Sequence, residues 1–411
     1  MIKLKKIFMN IIHKISNKFQ LEILIYFTNL VLTNDKKMMV KSVKYLDLAM
    51  LNRRVISPEL LTKTFFPNYS FTKVSYSNDI ISPEVQLVIL DDCIVSGCSS
   101  SFIKGKDLMI ERFCNEENVN AHYNAGGLLS HQDSYAVVRQ SNLNYIENGF
   151  FLGGNGAWNY YHWLIEILPK LQTYLDLCLY KKSIKLILPD TVKQNKNFQF
   201  LLKSILGDIK VDMVFVSRSF SLKVEKMYHL TPINNILFNE RIIGVCINPL
   251  HLRYDSLDFI RSKITDFIYP NIINNKEIIN VERIFLARKK TRQRDYNQAQ
   301  IISLLLKYKF KIVYMEEYDI NEQVYLFENA KYIVGPSGAA WTNLIFSKGP
   351  CKALTWLPEI VKNFPVFASL ADYANVDLYF FNTLSNNYKK VHDNYIIDLE
   401  LFERKINRLL A

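Results

Sequence analysis

Apolar and polar positions recur with two different periods along the second half of the chain. Short runs rich in β-branched and aromatic residues predict buried strands at 283–288, 310–315, 332–335 and 352–357. Longer runs with apolar residues every three to four positions predict amphipathic helices at 297–308 and 321–330, and a further helix beginning at 342–347. Strands that alternate with helices over short connections are typical of an open, doubly wound parallel sheet. This half is therefore predicted to be an α/β unit.

The first half repeats this alternation after a series of short strand-like runs. Strands are predicted at 86–91, 134–140, 184–189 and 211–216, and a helix at 197–206. Between them, the run NGFFLGGNGAWNYYHWLIEILPKL predicts a strand that breaks at Gly153, Gly154 and Gly156 before a helix begins. This alternation also implies parallel β–α units.

A boundary between the two halves is predicted near 255–280, where the run YPNIINNKE is turn-rich. The chain is therefore predicted to be α/β, with Rossmann-like domains at 61–265 and 266–411 after a basic, helical extension over residues 1–60. The final run LFERKINRLL predicts a terminal helix, which could stay on the second domain or cross back to the first.

The N-terminal stretch MIKLKKIFMNIIHKISNKF has apolar residues every three to four positions and five lysines. This pattern predicts a basic amphipathic helix, with residues 1–20 either on an anionic membrane surface or packed on the protein, and the two alternatives have equal weight. The next apolar run, 21–32, contains Glu22 and is shorter than the ~20 residues that a membrane span needs. No signal-peptide pattern follows. We expect a soluble cytoplasmic protein, or a peripheral one on the inner face of the membrane.

The net charge of +12 over 411 residues indicates an anionic partner, which could be a phosphate-bearing substrate, a nucleic acid or an acidic lipid. Motifs typical of nucleic-acid binding do not occur, so nucleic acid is not expected as a partner. The six cysteines are scattered, without zinc-ligand spacing, and are interpreted as reduced thiols.

The stretch KYIVGPSGAAWTNLIF carries the smallest residues of the chain where a predicted strand passes into a helix. The N–H groups at a helix N-terminus attract phosphate, and Gly338 and Ala339 would let a ligand approach the backbone. The hydroxyl of Ser337 could add a hydrogen bond, and Asn343 lies further along the helix. The alternative is a tight turn whose small residues only permit packing.

A basic cluster follows the predicted strand RIFLAR. It consists of Arg288, Lys289, Lys290, Arg292 and Arg294. Ligands of parallel sheets bind beyond the carboxyl ends of the strands, and guanidinium groups grip phosphate oxygens in pairs. This cluster and the small-residue turn would face the same sheet edge, which favours a nucleotide-diphosphate site over a solvated basic loop.

His162 and Glu166 are four residues apart, so they would share one face of the helix that follows the glycines. A neutral imidazole can take a proton from an attacking hydroxyl, and Glu166 could orient it or be the base itself. A purely structural His–Glu pair is the alternative.

Three blocks carry a family resemblance when taken in order: NYYHWLIEILPKL, ERIFLARKKTRQRDYNQ and EQVYLFENAKYIVGPSGAAWTNLIF. Over about 140–360 the chain resembles glycosyltransferase family 61, which includes bacterial capsular and surface polysaccharide enzymes. The first 130 residues match no pattern of the family. The resemblance implies a GT-B architecture, in which two Rossmann-like domains face a cleft, and inverting transfer from a nucleotide sugar.

Carried over by motif position, the family's site residues are His162 and Glu166, then Arg288, Arg294 and Asn297, and finally Gln323, Gly335, Gly338, Ala339 and Asn343. Many members have histidine where this chain has Ser337, which weakens a family role for that position, although serine can still donate to phosphate. The second domain would bind the donor, and the first would face a saccharide or lipid-linked saccharide acceptor.

No Asp-x-Asp motif occurs in the chain, so neither a metal nor another cofactor is predicted, and guanidinium groups would take the place of the metal. Two other functions stay open. One is a nucleotide-dependent oxidoreductase, for which GGNGAWN is a weak glycine-rich signal because the third glycine of G-x-G-x-x-G is missing. The other is a non-catalytic, membrane-associated sugar-binding protein.

Overall fold

A computed structural model describes ten stretches of the chain. They are residues 18–31, 36–46, 52–72, 76–110, 125–132, 134–236, 250–271, 281–289, 293–383 and 393–411. The basic helix predicted before residue 18, together with Lys290, Arg292, Cys114 and Cys246, lies outside these ranges. Cys93, Cys98, Cys178 and Cys351 are free thiols.

The helices and strands of the first half alternate irregularly. They are α1 (Lys18–Val31), β1 (Lys36–Tyr45), β2 (Arg53–Ser57), β3 (Leu60–Phe66), β4 (Tyr76–Ser82), β5 (Val85–Val95), β6 (Phe102–Lys104), β7 (Asp107–Ile110), β8 (Leu128–His131), β9 (Tyr135–Phe151), a π-helix (His162–Ile167), α2 (Lys170–Asp176), a 3₁₀ turn (Leu179–Lys182), β10 (Lys185–Pro189), α3 (Thr191–Gln194), α4 (Lys196–Leu206), β11 (Met213–Val216), β12 (Phe220–Leu230), β13 (Asn235–Ile236), β14 (Leu250–His251) and α5 (Tyr254–Ile268).

The second half alternates regularly. Its elements are β15 (Arg283–Leu286), α6 (Gln298–Lys307), β16 (Lys311–Val313), α7 (Ile320–Asn329), β17 (Tyr332–Pro336), a 3₁₀ helix (Ala339–Phe346), β18 (Cys351–Pro358), α8 (Val366–Tyr373), β19 (Val376–Thr383) and α9 (Leu399–Leu410), with 3₁₀ turns at Tyr269–Asn271, Met315–Glu317 and Glu359–Val361.

The sheet of the second half is entirely parallel, with strand order β16-β15-β17-β18-β19. Chain order reverses between β15 and β17, because the chain moves outward from β15 to β16 and then returns to the other side of β15. Ligands of open α/β sheets bind at such a switch point, beyond the carboxyl ends of the strands. The predicted α/β unit is confirmed here, although the sequence pattern did not reveal α8 and β19.

The large sheet of the first half corrects the prediction of a second doubly wound domain. It has ten strands, and β5, β6 and β7 form antiparallel pairs in series, while β12 runs antiparallel to β5 and parallel to β9. Short turns link β5 to β7, and short connections favour antiparallel neighbours. Parallel order is confined to a few pairs, such as β9 with β10 and β10 with β11.

The prediction of a helical segment through residue 60 is wrong for two stretches. Residues Lys36–Tyr45 form β1, which pairs with the long β9 over seven positions, and Arg53–Ser57 form β2 at the edge of β5. Met38 and Val40 lie on the same side of β1, as the two-residue period of a strand requires. The strand β9 supplies the hydrogen bonds that hold this stretch extended.

The two halves are in extensive contact with each other across the predicted domain boundary. The β3–β4 hairpin packs on α8 of the second half, where the Phe65 amide donates to Ser369 Oγ at 3.0 Å. The terminal helix α9 stays on the second sheet and buries Phe402, Ile406 and Leu409 against it. One hydrophobic core extends from the π-helix to the 3₁₀ helix, so the halves meet over an apolar, packed interface that can hold a site in a fixed geometry.

Candidate active site

A cavity of about 440 Å³ lies between the two halves at the carboxyl edge of the parallel sheet. Its walls are Asn159, Tyr161, His162 and Ile236 from the first half, and Arg288, Arg294, Ser337, Gly338, Ala339, Trp356, Leu357, Pro358, Val361, Phe364, Val366, Phe367 and Tyr395 from the second. The structure thus brings His162 and the cationic turn, predicted from separate blocks, to one cavity.

Arg288 and the small-residue turn meet at the switch point of the sheet. Arg288 follows β15, Ser337 follows β17, and the guanidinium of Arg288 donates a hydrogen bond to the carbonyl of Ser337. A Cβ atom at Gly338 would lie 2.7 Å from Nη2 of Arg288. Bulk is therefore excluded from this turn because an arginine side chain occupies the space above it.

Gln298 fixes the backbone of Arg288, and the sequence analysis did not identify this residue. Its Oε1 accepts a hydrogen bond from the Arg288 amide at 2.8 Å, and its Nε2 donates to the Arg288 carbonyl at 2.8 Å. The hydroxyl of Tyr296 donates to the same Oε1. An amide that pairs with both backbone groups of one residue holds that residue as a neighbouring strand would.

Arg294 adds a second guanidinium to the same wall. Burial and the charge of Arg288 lower the pKa of Arg294 to about 10. Its φ of +56° lies in the left-handed region, which is uncommon for a residue other than glycine and is often found at functional sites. Two half-buried guanidinium groups that repel each other form a place where an anion would lower the electrostatic energy.

The helix that opens at this turn is a 3₁₀ helix instead of the expected α-helix. It begins at Ala339, and the Trp341 amide donates to the Gly338 carbonyl at 3.1 Å, which closes its first turn. Trp341 also anchors the turn, since its indole N–H donates to the Pro336 carbonyl at 2.9 Å. Ser337, Gly338 and Ala339 consequently present the amino end of this helix to the cavity.

His162 and Glu166 form a hydrogen-bonded pair on a π-helix. Nδ1 of His162 lies 2.5 Å from Oε2 of Glu166, and Oε1 of Glu166 accepts from the Ile236 amide at 2.8 Å. Both carboxylate oxygens are therefore engaged. Burial lowers the pKa of His162, but the charge and the hydrogen bond of Glu166 raise it, and the net shift is upward.

The glycines before the π-helix pack against atoms of the protein itself. Gly156 has φ +73°, and a Cβ atom there would collide with the ring of His162. A Cβ atom on Gly153 would approach the Gly97 carbonyl to 2.7 Å, and one on Gly154 would approach Ser100 Oγ to 2.9 Å. These glycines make room for the ring of His162 and for a neighbouring loop. The glycine-rich run therefore no longer supports dinucleotide binding.

Gln323 and Asn343, which were predicted to bind the donor, do not line the cavity. Nδ2 of Asn343 donates to Oε1 of Gln323 at 3.0 Å, and Gln323 donates to the carbonyls of Met315 and Tyr318, both at 3.0 Å. Asn343 is fully buried and Gln323 nearly so. Their polar groups are used inside the protein, so they support the site without contacting it.

Asn297 and Gly335 are also absent from the cavity walls. Asn297 pairs with both backbone groups of Ile397, accepting from its amide and donating to its carbonyl, each at 2.9 Å. It therefore pins the segment before α9. A Cβ atom on Gly335 would lie 2.7 Å from Cβ of Leu286, so this glycine permits close packing of β17 on β15.

An apolar wall, which the sequence analysis missed, faces the arginines. It is formed by Trp356, Leu357 and Pro358 at the end of β18 and by Val361, Phe364 and Phe367 beyond it. The indole of Trp356 donates to the hydroxyl of Tyr395 at 2.8 Å. The only sequence signal for this wall was the predicted strand KALTWL. As a strand of the same parallel sheet, it ends at the edge where Arg288 and Ser337 lie.

Residues 160–354 match the family model described as Glycosyltransferase 61. This match confirms the resemblance drawn from the three blocks and supports a glycosyltransferase, which acts on a sugar donor and an acceptor. No curated protein matches the chain.

Proposed function

We propose that this chain, whose residues 160–354 match the Glycosyltransferase 61 model, transfers a sugar with inversion from a nucleotide-diphosphate donor to a saccharide acceptor. One observation carries the proposal. The half-buried Arg288 and Arg294 at the switch point of the parallel sheet line the same cavity as His162 of the other half, which is hydrogen-bonded to Glu166. A charge clamp and a proton acceptor on facing walls are the two groups that such a transfer requires.

The pyrophosphate of the donor would rest on the turn formed by Ser337, Gly338 and Ala339, between Arg288 and Arg294. Its negative charge would offset the repulsion between the two guanidinium groups, and the amino end of the 3₁₀ helix would add a partial positive charge. As the bond between the anomeric carbon and the diphosphate breaks, these groups stabilise the departing oxygen. We propose that they make a metal unnecessary.

His162 would act as the base and Glu166 as its positioning residue. The tautomer that donates from Nδ1 to Glu166 carries its lone pair on Nε2. The acceptor hydroxyl gives its proton to Nε2 as its oxygen forms the new bond to the anomeric carbon, from the face opposite the diphosphate. The engagement of both Glu166 oxygens favours this assignment over direct proton transfer to the carboxylate.

We also propose a GT-B-like division of labour, in which the parallel sheet binds the donor and the mixed sheet faces a saccharide or lipid-linked saccharide acceptor. The resemblance to bacterial family members favours capsular or other surface polysaccharide synthesis in the cytoplasm. The apolar wall near Pro358, Val361 and Phe364 provides surfaces on which sugar rings or a nucleobase can pack.

The decisive experiment screens nucleotide sugars for thermal stabilisation and for release of nucleoside diphosphate, with and without a chelator. With the best donor, Arg288→Ala should lower kcat/KM on the order of 100-fold, as expected for loss of a preorganised charged contact. Lys331→Ala is the matched control, because Lys331 precedes the same strand that Ser337 follows and pairs on the surface with Glu282. Near-normal turnover by the Arg288 variant, or loss of activity with the chelator, would contradict the proposed clamp.

A further inference from the structure

The helix α1 has apolar residues on two opposite faces. One face packs on β1 and β9, where Leu21 and Ile25 are buried beside Met38, Tyr135 and Val137. On the opposite face, apolar residues recur every three to four positions and are exposed to solvent: Phe19, Ile23, Tyr26, Phe27 and Leu30. Phe19 and Phe27 are 68% and 60% exposed. An amphipathic helix of a globular protein normally places polar residues on this side.

The orientation of α1 is fixed, so the exposed stripe cannot turn into the core. The side chain of Asn29 pairs with the backbone of Met38, donating to its carbonyl at 2.7 Å and accepting from its amide at 2.9 Å. Leu21 and Ile25 are almost fully buried. The exposed stripe is therefore a lasting surface of the folded protein.

Lysines flank this stripe in the sequence. Lys18 at the start of α1 and Lys37 at the start of β1 are both exposed. The preceding residues 1–17 contain Lys3, Lys5, Lys6 and Lys14 and no acidic residue. Within α1 itself, Glu22 is the only acidic side chain. An exposed aromatic and aliphatic stripe flanked by lysines complements the interface of an anionic lipid bilayer.

We propose that the exposed stripe of α1 docks this protein on an anionic membrane surface, with the helix lying in the plane of the interface. With 14 residues, α1 is shorter than the ~20 that a spanning helix needs. None of the helices in the described ranges has the length and apolar content of a membrane span.

The test uses the full chain and flotation with vesicles of phosphatidylcholine alone or mixed with phosphatidylglycerol. The protein should bind the mixed vesicles, bind them less at high salt, and leave the neutral ones unbound. The double variant Phe19→Ser with Phe27→Ser should bind about 100-fold more weakly, because each lost side chain removes apolar area that docking buries. The matched control is Leu61→Ser with Ile81→Ser, an equally exposed pair on the β3–β4 hairpin, which should bind normally.

Three results would overturn the inference. The first is equal vesicle binding by the α1 variant and the control, and the second is no binding by the unaltered protein. The third is a dimer, seen by light scattering, that the α1 substitutions dissociate, since the stripe would then cover a second copy. Donor turnover in solution should be unchanged in the α1 variant, so failure here leaves the proposed function untouched.

Discussion

The hydroxyl of Tyr160 donates a hydrogen bond of 2.6 Å to Oδ1 of Asn343, across the interface between the two halves. Tyr160 lies two residues before His162, and Asn343 lies in the 3₁₀ helix that opens at the Ser337 turn. Asn343 is fully buried. One bond therefore connects the segment that carries the proposed base to the segment that carries the proposed donor site.

Without this hydrogen bond, the two segments should be held less firmly relative to each other. Tyr160→Phe leaves the Oδ1 of Asn343 buried without its donor, which should cost about 1–3 kcal/mol of unfolding free energy. We also expect kcat to fall on the order of tenfold, because small misplacements of reacting groups are costly in rate. Chemical denaturation and steady-state kinetics measure the two effects.

Tyr174→Phe is the matched control for this change. Tyr174 lies in the same half, is fully buried, and donates to the Ile184 carbonyl at 2.8 Å. Its loss should destabilise the protein to a similar extent with kcat unchanged. If both variants lower kcat alike, the Tyr160–Asn343 bond has no positioning role beyond stability.

The role of Asn343 also marks the limit of what the sequence could predict. Hydrophobic periodicity and turn chemistry are local, so they located β15, β17 and the helices between them, and the parallel order followed from the helices that separate successive strands. Because parallel strands end at one edge, the meeting of Arg288 with the Ser337 turn could also be predicted. Whether the Asn343 amide faces a ligand or Tyr160 depends on a contact between residues 183 positions apart in the sequence.

Other features depended on pairings that no local pattern encodes. The strand β1 exists because β9 supplies its partner, and neither stretch shows that partner in its own composition. The apolar wall near Trp356 needed the course of the chain from β18 to α8, which the sequence analysis did not predict. Gln298 acts on a backbone ten residues away, and a single glutamine at a helix start gives no signal of such a role.

Two glycines at the end of β17 should respond differently to the same substitution. An added methyl at Gly338 meets the guanidinium of Arg288, the flexible end of a side chain, so Gly338→Ala should displace the guanidinium with little loss of stability. Donor affinity should fall about tenfold, measured by calorimetric titration with the nucleoside diphosphate.

At Gly335 the added methyl meets Cβ and the carbonyl oxygen of Leu286, inside the sheet. Gly335→Ala should therefore destabilise the protein by about 1–3 kcal/mol through overpacking. Donor affinity of the folded fraction should stay within a factor of a few. The reverse outcome, with Gly338→Ala destabilising and binding normally, would remove the proposed donor site from this turn.

The pH dependence of turnover should report the pair formed by His162 and Glu166. A base must be neutral, so activity should be lost as the pH falls through the pKa of His162, which Glu166 raises above its ordinary value of about 6.5. Glu166→Gln keeps a hydrogen-bond acceptor but removes the charge. Burial, which lowers the pKa, then dominates, and the acidic limb of the kcat/KM profile should move to lower pH.

This shift separates the two assignments of the base. If His162 is the base, Glu166→Gln retains measurable activity with a displaced limb, and His162→Ala lowers kcat by about 10²–10⁴ with donor affinity nearly unchanged. If the carboxylate itself takes the proton, Glu166→Gln is inactive at every pH, because an amide cannot accept it. The engagement of both Glu166 oxygens, by His162 and by the Ile236 amide, makes the first outcome the expected one.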